Sequence, residues 1–154
     1  MMNAESLRPY VLQAVASILG LTSVKADDDG DIPIRQGSAI CFARLLDGPT
    51  GPLLRVFAPM LKNVAKSEAL LERLNGLNAS APYLRFFWVE GVIFCAIDLM
   101  AENLEKEEIG NALLIVGWFA DNLDDILKKD FGGERMVEEE ELPKPTAEFA
   151  DPSL

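Results

Sequence analysis

The sequence predicts an α+β fold, a sandwich in which an antiparallel five-stranded sheet is packed by helices in the order α-β-β-β-α-β-β-α. Two groups of strand-like segments, rich in β-branched and aromatic residues, predict the sheet. Their short connections carry Gly, Asp and Pro, which favour antiparallel turns. Three flanking segments place apolar residues three and four apart, the spacing of a helical face.

The first helix is predicted over residues 4–20. Ser6 is positioned to cap it, Pro9 falls in its first turn and Gly20 supplies its end. Its predicted buried face carries the following apolar residues: Leu7, Val11, Ala14, Val15, Ile18 and Leu19.

An acidic stretch follows, in which Asp27, Asp29 and Asp31 match the first three ligand positions of an EF-hand loop. The match fails further on, because Ile32 stands where the loop needs Gly and Ser38 where it needs Glu. We therefore expect a solvated acidic turn and no metal site.

Residues 32–36, 38–46 and 52–58 read as three strands of an antiparallel meander. Pro33 cannot donate a hydrogen bond to a neighbouring strand, so the first of them is predicted at the edge of the sheet. A second helix is predicted over residues 67–77, with Ser67 as its cap and Gly76 and Asn78 as its ending residues.

Residues 83–99 form the predicted β-hairpin, with Glu90-Gly91 as its two-residue turn. Pairing outward from the turn sets the register, which is as follows: Val89 opposite Val92, Trp88 opposite Ile93, Phe87 opposite Phe94, Phe86 opposite Cys95 and Leu84 opposite Ile97. The face with Phe86 and Cys95 is apolar throughout and is expected under helices. The opposite face is apolar near the turn and charged at its far end, which favours contact with another chain.

The last helix is predicted from Asn103 as its cap, and Gly110 and Gly117 within it predict close packing. A second apolar set widens its buried arc: Leu114, Ile115, Trp118, Phe119 and Ile126. Either the first helix covers this set, or another chain does. We expect residues 1–133 to form a single domain and residues 134–154 an acidic, disordered tail.

Composition excludes several function classes. The chain has 154 residues, 14 basic and 25 acidic, for a net charge of -11, which disfavours nucleic acid and anionic membranes as partners. Its longest apolar run, residues 112–120, is too short to span a membrane, and no export signal is evident, so a cytoplasmic location is expected.

The usual catalytic constellations are also missing from the sequence. It contains no histidine, no glycine-rich phosphate loop and no Cys-x-x-Cys motif. Cys41 and Cys95 lie in apolar strand-like runs and are expected as buried thiols. We therefore expect no cofactor, no metal and no catalysis.

The sequence resembles the YbjN family and type III secretion chaperones in four features. These are the element order, the Leu-Asn-Gly-Leu-Asn stretch at residues 74–78, the strand pair meeting at Glu90-Gly91, and Phe131-Gly132-Gly133 after the last helix. The resemblance implies a bacterial, commonly dimeric α+β protein that holds an extended client segment. The alternative is a regulatory scaffold that acts through its homodimer alone. Residues expected to contact a client or a second copy, unless they are core, are Phe42, Phe87, Val89, Val92 and Phe94.

Overall fold

The computed structural model describes residues 3–136 and confirms the predicted fold class and element order. The elements are α1 (Ala4–Leu19), β1 (Ile32–Gln36), β2 (Ala39–Gly48), β3 (Gly51–Lys62), α2 (Glu68–Ser80), β4 (Arg85–Val89), β5 (Val92–Met100), α3 (Lys106–Phe131) and β6 (Glu134–Arg135). Strand β6 is additional to the five predicted strands. It lies within the stretch predicted as a tail, of which residues 137–154 are outside the described residues.

All strand pairs are antiparallel, and the sheet order is β1-β2-β3-β5-β4, with β6 pairing the far end of β3. The four predicted pairs within the strands of the β4–β5 hairpin are confirmed, from Val89 opposite Val92 to Phe86 opposite Cys95. Glu90 and Gly91 have φ of 48° and 88°, as a type I′ turn requires, and this turn matches the twist of the flanking strands.

Helices α1 and α3 cover one face of the sheet and enclose the core. Val56, Ile93 and Cys95 on the sheet and Val15 and Val116 on the helices are fully buried there. The predicted close approach at Gly117 is confirmed, since a Cβ at this position would lie 2.5 Å from Gln36 Oε1. At Gly110 a Cβ would make only ordinary contact with Ile18, at 3.8 Å.

The helix termini correct three predictions. Asn3, one turn before Ser6, caps α1 by accepting the Ser6 N–H, so Pro9 lies inside the helix. Glu105 rather than Asn103 begins α3, because its side chain and that of Glu108 satisfy backbone N–H groups reciprocally. Ser67 caps α2 as predicted, but this helix continues past Gly76 to Ser80.

The second apolar set of α3 is divided between two environments. Ile115 and Phe119 pack against the core, and Phe119 meets Phe86 edge-on at 6.1 Å. Ile126 is 51% exposed. Within residues 3–136, no helix combines the length and the apolar character needed to cross a bilayer.

The acidic turn before β1 is held by its own carboxylates. Asp27 accepts the backbone N–H groups of Asp29 and Asp31 at 3.0 and 2.9 Å. Arg44 binds both oxygens of Asp31 at 2.6 and 2.7 Å. Carboxylate oxygens of the three aspartates lie within 4.8 Å of one another, and these hydrogen bonds use two of the three groups to shape the turn.

Candidate functional site

The sheet face opposite α1 and α3 forms a continuous aromatic surface, which we call the open face. The register places Phe42 opposite Phe57 and Phe87 opposite Phe94, and each pair is stacked, with ring centroids 5.4 and 5.2 Å apart. Neither pair belongs to the buried core. The open face consists of the side chains of Arg35, Ile40, Phe42, Arg44, Leu53, Arg55, Phe57, Arg85, Phe87, Val89, Val92, Phe94 and Asp98.

All five residues predicted to contact a partner lie on the open face. Phe42, Phe87, Val92 and Phe94 are half-buried, and Val89 is 47% exposed. The structure therefore brings them onto one surface, and their role in binding stays a prediction. Phe57 belongs to the same surface and was missed by sequence reasoning, although the alternation Leu53, Arg55, Phe57 in β3 signals it.

Arginines are interleaved with these rings. The guanidinium of Arg44 lies 5.0 Å from the Phe57 ring centroid and that of Arg85 lies 5.4 Å from Phe87. Arg55 binds both oxygens of Asp98 at 2.8 and 3.0 Å, and Arg85 approaches the same carboxylate at 3.2 Å. The Arg55 hydrogen bonds, with the charge of Arg85, hold the pKa of Asp98 below its ordinary value. The open face thus presents aromatic rings interleaved with arginines, of which Arg44, Arg55 and Arg85 pair with aspartates.

At the β4 edge of the sheet, a side chain of α2 forms hydrogen bonds with the backbone of Phe86. Asn78 Oδ1 accepts the Phe86 N–H at 2.6 Å, and Asn78 Nδ2 donates to the Phe86 carbonyl at 3.0 Å. Asn78, predicted to end α2, instead takes the place of a neighbouring strand. Strand β1 forms the opposite edge and, among the described strands, pairs only with β2. It is therefore the edge that remains for strand addition.

A small cavity of about 120 Å³ lies where β2 and β3 diverge, next to the open face. Ile40, Phe42 and Pro59 line it on the open-face side, Asp124 of α3 lines it on the helix side, and Met136 also lines it. Residues leaving β6 therefore reach the boundary of the open face.

Ser38 at the rim of this cavity lies between two carboxyl groups of α3. Its Oγ is 2.7 Å from Asp121 Oδ1 and 2.8 Å from Asp124 Oδ2, and its backbone N–H donates to Asp121 at 2.6 Å. A hydroxyl has one proton, so both short contacts are hydrogen bonds only when one carboxyl is itself protonated. Burial raises the pKa of Asp124, so its carboxyl takes up a proton at higher pH than an ordinary aspartate does.

The two cysteines are buried thiols, as the sequence predicts. Cys41 and Cys95 are 1% and 0% exposed and form no disulfide. Burial raises the pKa of Cys41 to about 12 and also raises that of Cys95. Neither thiol is therefore a nucleophile near neutral pH.

Comparison with known proteins agrees with this architecture. A chain in the crystal structure of the ExsC–ExsE complex superposes with a TM-score of 0.61 at 18% identity, covering 82% of this chain and 97% of that one. A chain in the HopA1–SchA chaperone–effector complex gives 0.59 at 11% identity, covering 81% and 99%. At these identities the likeness shows the fold.

Among curated proteins, none matches the chain significantly. Residues 5–139 match the model of a family described as "T3SS (YopN, CesT) and YbjN peptide-binding chaperone 1", TY-Chap1. The match spans most of the sequence and, among the described residues, includes all six strands, α2, α3 and all of α1 but its first residue. The chain therefore belongs to this family of type III secretion and YbjN peptide-binding chaperones.

Proposed function

We propose that the protein holds a segment of a client protein on its open face and carries out no reaction. The observation that carries the proposal is the open face itself, where two phenylalanine stacks and four arginines lie outside the core of an otherwise acidic chain. Phenylalanine rings supply apolar contact area, and arginines select carboxylates or aromatic side chains. The client segment it fits therefore combines apolar and acidic residues.

The second element of the proposed site is the edge of β1. An extended segment that pairs with β1 gains backbone hydrogen bonds, and its alternate side chains fall on the open face. Pro33 limits the number of bonds at this edge, because it has no N–H. Side-chain contacts therefore provide most of the selectivity.

The free, buried thiols of Cys41 and Cys95 support a reducing cytoplasm as the place of action. A homodimer is proposed as well, with a second copy as the other candidate occupant of the open face. A stable dimer buries roughly 800 Å² on each partner, an area that a five-stranded sheet face can supply.

Two matched substitutions test the proposal. Val89 on the open face and Ile126 on α3 are 47% and 51% exposed, so a charge is tolerated equally at both positions. We expect Val89→Asp to lose chemically crosslinked client proteins that the wild type and Ile126→Asp both retain. Equal retention by the two variants would place the client elsewhere.

Light scattering on the same two variants measures their mass in solution and tests whether a second copy occupies the open face. A drop from dimer to monomer in Val89→Asp alone assigns the open face to a second copy. An unchanged mass in both variants removes the open face from the dimer interface. This measurement is independent of client capture.

A further inference from the structure

We propose that residues 137–154 of this chain bind back onto its own open face, with their carboxylates at the arginines and their apolar residues on the phenylalanine stacks. This occupancy needs no client and is independent of the proposed client-holding activity. A client would then bind the open face only in competition with the chain's own acidic segment.

The path of the chain leads to this face. Strand β6 pairs with Leu61 and Lys62, and the side chain of Arg135 turns toward α3, where it binds Asp125. Strand β6 ends at Arg135, and Met136 follows it in a bend. Met136 lines the cavity beside Ile40, Phe42 and Pro59. Residue 137 therefore starts at the boundary of the open face.

The segment is long enough to cross the whole face. Its 18 residues span at most about 60 Å at roughly 3.3 Å per residue. Five strands spaced about 4.8 Å apart give a sheet roughly 20 Å wide. A connection this short also keeps the segment near millimolar effective concentration at its own open face, which favours it over the segment of another copy.

The charges are complementary. Residues 137–154 contain six acidic residues and one lysine. The open face carries four arginines, and Asp31 and Asp98 bind Arg44, Arg55 and Arg85. Glu138 to Glu141 follow the exit point directly in the sequence. In a chain of net charge -11, this face offers an acidic segment a cluster of arginines.

The apolar residues fit the aromatic surface. Leu142 and Phe149 flank Pro143 and Pro145, whose fixed φ and missing N–H favour an extended chain over a helix. Extended proline-containing segments dock on aromatic side chains in known recognition modes. Contact through side chains lets the segment lie across the strands without pairing to an edge.

Paramagnetic relaxation in the full chain tests the proposal. A nitroxide attached to Ala147→Cys labels one site, since Cys41 and Cys95 are buried. We expect loss of the side-chain NMR signals of Phe87, Val92 and Phe94, with the signals of α1 retained. Signals retained on both faces, or lost equally on both, would overturn the proposal.

Two controls complete the experiment. The first control is a fourfold variant that carries Glu138→Gln, Glu139→Gln, Glu140→Gln and Glu141→Gln, and it is expected to restore the open-face signals. The second control, Ser153→Ala, is expected to leave these signals broadened. In a mixture of nitroxide-labelled and isotope-labelled molecules, loss of the open-face signals would show binding between copies and would contradict the intramolecular contact. No client is present in any sample, so a negative result leaves the client-holding proposal standing.

Discussion

Replacing Asn78 with alanine is expected to release the outer edge of β4. The Asn78 amide accepts from and donates to the same residue, Phe86, at 2.6 and 3.0 Å. Phe86 is 2% exposed beneath this amide, so in the variant both of its backbone groups lose their protein partner. Alanine keeps α2 helical and removes only the amide.

The magnitude follows from these two hydrogen bonds. Each contributes about 0.5–1.5 kcal/mol net, which gives a loss of about 1–3 kcal/mol. Alanine returns roughly 0.6 kcal/mol because its helix propensity exceeds that of asparagine. We therefore expect Asn78→Ala to lower the free energy of unfolding by about 0.4–2.4 kcal/mol.

Urea unfolding at neutral pH measures the change, with Asn75→Ala as the matched control. Asn75 is exposed on the same helix, and no described residue forms a hydrogen bond with its side chain. The control therefore contains the propensity gain without the lost bonds, and the difference between the two variants isolates the edge contact. Amide exchange reports the same event locally, as faster exchange of the Phe86 N–H.

Two results would refute the reasoning. The first is equal stability of the two variants within error. The second is wild-type protection of the Phe86 amide in Asn78→Ala, which would mean that water or another group closes the edge.

Three further substitutions test other parts of the structure. Asp124→Asn imitates the neutral carboxyl. Because the pKa of Asp124 is raised above 3.8, the contribution of Asp124 to stability is present at low pH and lost as the pH rises through the raised pKa. Thermal unfolding should therefore show the variant more stable than the wild type by about 1 kcal/mol at pH 7 and no more stable at pH 3. Asp98→Asn acts in the opposite sense, since the pKa of Asp98 is lowered: we expect a loss of about 1 kcal/mol at pH 7, discounted for partial exposure, that disappears as the pH falls through that lowered pKa. Gly37→Ala places a Cβ 2.4 Å from the Asp121 carboxylate at φ +56°, so it should lower the free energy of unfolding in urea by about 2 kcal/mol or more. Gly20→Ala, at φ +70° in open space, should lower it by about 1 kcal/mol. Equal losses would show that the β1–β2 turn does not pack on α3 as described.

Local signals allowed most of the fold to be predicted. The Glu90-Gly91 turn determines the hairpin register because every pair follows from the turn by counting. Strand β6 was missed because two residues are too few for any alternation. The caps at Asn3 and Glu105 were missed because neighbouring residues, Ser6 and Asn103, are also good capping types and only the backbone path decides between them.

The candidate site was only half predictable, for a different reason. Phe87 and Phe94 pair within one hairpin, so the sequence places them together. Phe57 joins the same surface only because β3 lies between β2 and β5, an order that no local pattern reveals. Asn78 was assigned to the end of α2 on its backbone preference, and its side-chain role depends on β4 lying against it.

The hydrogen bonds between Asn78 and Phe86 at the β4 edge also affect how copies of this protein could associate through their sheets. Growth into a fibre of paired sheets needs two pairing edges on every copy. Here an asparagine amide of the same chain occupies the backbone groups of Phe86 on β4, so copies joined through β1 would not extend the sheet past that residue. The fold thus combines an exposed aromatic sheet with a built-in limit on polymerisation.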